Sequence, residues 1–117
     1  MQNQNQWTLL KNPIIFYIRA DTTQLSLADL PPQARKAKLH ICLLSGGCNN
    51  GETITWSFVT KVDIIKICGR PHMQNAQTIY SENCTIRLDE RKIIEVSRDQ
   101  GFPGPNFGLS FEVLGYK

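Results

Sequence analysis

Apolar and polar residues alternate with a period of two through much of this chain. Ile54, Trp56 and Phe58 interleave with Thr53, Thr55 and Ser57; Phe107, Leu109, Phe111 and Val113 interleave with Gly108, Ser110 and Glu112. Successive side chains of a β-strand point to opposite faces, so the pattern predicts strands with one face on a core and the other in water. The same beat sets Ala37, Leu39, Ile41 and Leu43 on an inner face and Lys36, Lys38, His40 and Cys42 on an outer one. Cys84, Ile86 and Leu88 follow it, as do Ile94 and Val96.

Other segments complete the set. Trp7–Leu10 reads as a short first strand. Pro13 then opens Ile14–Ile18, whose two faces are both apolar, predicting a central strand or one covered on both sides. Ser26–Leu30 has the spacing of one helical turn, with Ser26 as cap and Asp29 three residues on. Pro31-Pro32 ends it, because proline lacks the amide donor. The alternative there is an extended loop. Val62–Cys68, Thr78–Tyr80 and Lys92–Ser97 read as further strands, separated by Gly-, Pro- and Asn-rich turns.

No segment carries ten residues of helical pattern, which argues against a parallel βαβ sheet. The fold class expected is all-β: an antiparallel two-sheet β-sandwich, jelly-roll or immunoglobulin-like, with eight or nine short strands. In the immunoglobulin-like variant, Cys42 and Cys84 would be the inter-sheet pair, with Trp56 between them. The tyrosine expected two residues before the second cysteine is missing, since Glu82 stands there.

The chain of 117 residues, 41% of them hydrophobic, fits one domain spanning 7–117, with the Gln/Asn-rich residues 1–6 as a flexible tail. No apolar stretch is long enough for a membrane span, and no signal peptide is evident. The compartment expected is intracellular for a full-length chain and extracellular for an excised domain. Cys42, Cys48, Cys68 and Cys84 are compatible with two disulfides or with free thiols.

Candidate chemistry is sparse. Cys68 and His72, or Cys42 and Cys48, lack the paired close spacing of a zinc site, so no metal or other cofactor is expected. His40 and Cys42 share a strand face, but no nucleophile signature surrounds them, and the expectation is a protein that is not an enzyme. The glycine-rich segment 45–51 lacks the lysine and following helix of a phosphate loop. Asp89-Glu90 reads as a polar turn.

Two binding readings follow. In the first, a virus-encoded or other modular sandwich binds a protein partner or self-associates, using the stiff loop that carries Phe102, Pro103 and Asn106. In the second, nucleic acid binds a basic sheet face made by Lys36, Lys38, His40, Lys61, Lys66 and Arg70. The net charge of +3 permits an anionic partner without requiring one.

Overall fold

The computed structural model describes residues 6–19, 21–45, 54–69, 77–99 and 108–117. These form eight strands: β1 (Thr8–Tyr17), β2 (Gln24–Ser26), β3 (Lys36–Ser45), β4 (Ile54–Val59), β5 (Ile64–Gly69), β6 (Gln77–Arg87), β7 (Ile93–Arg98) and β8 (Gly108–Tyr116). A front sheet has the order β1-β8-β3-β6 and a back sheet the order β2-β7-β4-β5. All pairings are antiparallel.

The order has a simple logic. β1 pairs with β8, β2 with β7, β3 with β6 and β4 with β5. The chain is thus one long antiparallel hairpin, rolled so that successive strand pairs fall alternately on the front and back sheets. That is jelly-roll topology, and it selects this form of sandwich over the immunoglobulin-like one.

The alternation of the sequence becomes the two sides of each sheet. Ala37, Leu39, Ile41 and Leu43 of β3 are fully buried, as are Phe58 of β4 and Phe111 and Val113 of β8. Trp56, Leu109, Ile86 and Ile94 join them. An aromatic contact joins the sheets at Phe58 and Phe111, with ring centroids 5.0 Å apart and planes tilted by 36°. Phe16 meets the same Phe111 ring edge-on at 6.4 Å. Offset and edge-on packing suits the ring quadrupoles and fills the space between the layers.

Three local expectations are corrected. Trp7–Leu10 and Ile14–Ile18 belong to a single strand, interrupted by a bulge: Leu9 pairs with Gly115 but Ile14 with Val113. Pro13 sits in that bulge, where a missing amide costs no ladder bond. This strand is an edge of the front sheet, not a central one. Its outward residues Leu9 and Tyr17 are 65% exposed and Ile15 is 46% exposed. Gly115 accepts the close approach of β1: a Cβ there would stand 2.6 Å from the Thr8 carbonyl oxygen.

Ser26–Leu30 is not a helical turn. Ser26 ends β2, and the Leu27 amide donates to the Lys92 carbonyl at 2.7 Å. Two successive turns follow, closed by Leu30 N to Leu27 O and Ala34 N to Pro31 O, each 3.0 Å. Helix nucleation costs too much for one turn that Pro31 forbids from growing. Burial of Leu27, Leu30 and Ala34 fixes the turns instead. Finally, Thr78–Tyr80 and the segment expected at Asn83–Leu88 form one strand, β6, which ends at Arg87 and whose register against β3 shifts between Leu43 and Leu44.

Phe111→Ala would remove the ring that both Phe58 and Phe16 touch. We expect a loss of about 3–5 kcal/mol in urea unfolding. A loss below about 1 kcal/mol would show that the sheets do not depend on this contact.

Candidate functional site

The outer face of the front sheet gathers polar residues from three strands. His40 is opposite Glu112 on one side and Asn83 on the other; Cys42 is opposite Ser110 and Ser81. His40 Nε2 shares a 2.9 Å hydrogen bond with the Ser81 hydroxyl, and its Nδ1 lies 3.8 Å from Glu112 Oε2. The constellation is a serine–histidine–carboxylate line, assembled from residues 41 and 72 positions apart in the chain. Acyl chemistry also needs donors for a developing oxyanion. Here β3 is paired on both sides, so its backbone donors are consumed by the ladders. The line lies on an open sheet face, with His40 and Glu112 about one-third exposed.

The basic residues do not form one face. Lys36, Lys38 and His40 share the outer side of β3, as the sequence indicates. Lys66 is on the outer side of β5, in the opposite sheet, since its neighbour Ile67 is buried. Lys61 is in the β4–β5 turn, ion-paired with Glu90 at 2.7 Å. Arg70 lies outside the described residues, as do Phe102, Pro103 and Asn106.

The cysteines are also dispersed. Cys42 faces outward on β3, paired with Ser81, while Cys84 on β6 pairs with Leu39 and packs against the core. They lie in the same sheet on opposite faces, so the inter-sheet pair of the immunoglobulin-like reading is absent. Cys68 faces outward on the back sheet, opposite Thr55. Cys42 and Cys84 are three register positions apart on opposite faces of the front sheet, Cys68 is on the outer face of the other sheet, and all three are free thiols. Cys48 and His72 lie outside the described residues. Among the described residues, no group of three or more His, Cys, Asp or Glu is placed to hold a metal ion.

A further feature has no counterpart in the local sequence pattern. A cleft of about 590 Å³ opens where the β2–β3, β4–β5 and β6–β7 connections meet, lined in part by Leu30, Arg35, Val62, Leu88 and Lys92. Asp89 organises it. One carboxylate oxygen accepts the Lys61 amide at 2.8 Å and the Arg91 guanidinium at 2.9 Å; the other accepts the Arg91 amide at 2.9 Å. The Asp89 side chain is 1% exposed. Its bond to the Arg91 side chain, aided by the two amides and opposed by burial, holds the carboxyl down at about 2. Asp63 plays a similar part nearby, accepting the amides of Ile64 and Arg87.

Lys92 and Arg35 close the cleft differently. Lys92 Nζ and Arg35 Nη1 each donate to the Pro32 carbonyl oxygen at 3.2 Å. Two cations on one oxygen stand within about 6 Å of each other, where like charges repel by about 1–3 kcal/mol. The polar run 89–91 marks a turn in sequence, but nothing local in it foretells a buried lysine facing Arg35.

No helix among the described residues is long and apolar enough to cross a membrane. Comparison with known proteins finds no matching family model and no similar curated protein.

Two expectations follow. Asp89 has a folded-state pKa below its ordinary value, so its stabilisation, about 2 kcal/mol, is present above about pH 4 and is lost as pH falls toward about 2. Asp89→Asn should destabilise at neutral pH and flatten the acid limb of a stability–pH curve; an unchanged limb would remove Asp89 from this role. Burial, and then Glu82, push the Cys84 thiol up, whereas Cys68 is exposed. Alkylation of the native protein should therefore modify Cys68 well before Cys84, and peptide mass mapping would reveal the opposite order.

Proposed function

We propose that this protein is a non-enzymatic binding module that self-associates through the outer edge of β1. One observation carries the reading: the edge strand presents Leu9, Ile15 and Tyr17 to solvent on one face. Proteins ordinarily blunt a sheet edge with charge, proline or a bulge, because free backbone groups invite another strand. β1 has such protection in its first half, where Lys11, Pro13 and the bulge fall. Ile14–Tyr17 pairs regularly with β8 and carries no charge. An antiparallel copy of this segment would set Ile15 and Tyr17 against the same residues across a twofold axis, an arrangement that is self-complementary.

The His40 line supports a non-catalytic reading, since it lies on an open sheet face where the backbone donors of β3 are taken by the ladders. Jelly rolls serve as capsid and lectin domains, so a virus-encoded or other modular assembly role is in keeping with the fold by analogy alone.

Sedimentation velocity across a concentration series tests the proposal. The parent chain should form a dimer or larger species, and Ile15→Lys and Tyr17→Lys should each remain monomeric with an unchanged circular-dichroism spectrum. A parent chain that stays monomeric at its highest soluble concentration sinks the reading. Salt-sensitive binding of single-stranded oligonucleotide by that monomer would put the basic β3 face, Lys36 and Lys38, in its place.

A further inference from the structure

Two cations at the loop-end cleft have no carboxylate partner among the described residues. Arg91 is held by Asp89, and Lys61 by Glu90. Lys92 and Arg35 reach only the neutral oxygen of Pro32. An ammonium has three N–H donors and a guanidinium five, so each cation has donors beyond the one given to Pro32. Lys92 is nevertheless only 6% exposed. A buried cation without a counter-charge is costly, and proteins keep one where a partner completes it.

The backbone supplies a second, independent observation. Lys92 has φ of 57°, the one non-glycine residue with positive φ among those described. Glycine or asparagine suits that left-handed region better than lysine. The turn alone does not call for lysine; what lysine adds is an ammonium at the wall of the cleft. Strained residues that persist in this way concentrate at ligand sites.

The geometry points to a site for the terminal phosphate of a small ligand, held between Lys92 and Arg35. A tetrahedral phosphate presents oxygens in several directions and can meet a point-charge ammonium and a planar guanidinium together. The carboxylates at the cleft, Asp89 and Glu90, are each engaged by a cation, so the charge left over is positive. Leu30, Val62 and Leu88 form an apolar wall for the body of the ligand. Lys92 is recessed, so a terminal phosphate reaches it and the doubly substituted phosphate of a nucleic-acid backbone does not. The site is independent of the β1 edge.

Thermal unfolding of the full chain tests this with inorganic phosphate and phenyl phosphate, against chloride and acetate at matched ionic strength. Both phosphates should raise Tm saturably, and the controls should not. Lys92→Asn accepts the left-handed backbone, so it should fold with an equal or higher Tm without ligand. It should weaken phosphate binding at least about tenfold. Arg35→Gln, at an exposed position, should weaken binding similarly and gives the same test should Lys92→Asn fail to fold. No saturable rise beyond the salt controls, or an undiminished rise in both variants, would overturn the proposal.

Discussion

The contact of Phe58 with Phe111 joins the two halves of the molecule. One ring belongs to a strand of the back sheet and the other to a strand of the front sheet, and their centroids are 5.0 Å apart. Around them, Trp56, Leu39, Ile41, Ile86, Ile94 and Val113 are almost entirely removed from water. Most connections carry the chain from one sheet to the other, so neither sheet can form from a contiguous stretch of chain. Burial between the layers is what rewards those crossings. The outer sheet faces, the β1 edge and the loop-end cleft are held in place by that core.

One end of the sandwich is fastened by side chains acting as backbone acceptors. Asp89 takes the amides of Lys61 and Arg91, Asp63 takes those of Ile64 and Arg87, and the Thr60 hydroxyl donates to the Arg87 carbonyl at 2.9 Å. These bonds tie the β4–β5 turn to the end of β6 and to the β6–β7 connection. Satisfying the amides of tight turns with ionised carboxylates is strong because the acceptor is charged. Beside this network, Lys92 and Arg35 both donate to the Pro32 carbonyl at the wall of the cleft. Structural carboxylates and the two cations bound to Pro32 thus line the same end of the sandwich.

Legibility followed the range of the physics. The inner face of β3 could be read residue by residue, because alternation over four apolar positions is a local consequence of strand geometry. Ile14–Ile18 misled for the same reason. An apolar run signals burial on both faces, but an edge strand whose outer face meets no other layer produces the same run. Ser26–Leu30 has helix-like spacing, yet its Leu27 amide is claimed by Lys92, 65 positions away in sequence. His40 was visible beside Cys42, whereas its neighbours Ser81 and Glu112 come from strands the sequence could not align. The lysines were legible as charges but not as a surface, since Lys66 and Lys38 look alike in sequence and lie on opposite sheets.

By itself, the sequence determined the class of architecture: two-residue periodicity, short segments and Gly/Pro punctuation leave stacked antiparallel sheets as the way to bury one face of each strand. It also determined which residues of β3, β4, β7 and β8 point inward. The tertiary structure alone decided the jelly-roll order, the exposure of β1 and the meeting of Lys92 with Arg35. Those depend on which strands become neighbours, a choice made by burial summed over the whole chain and not by any local run of residues.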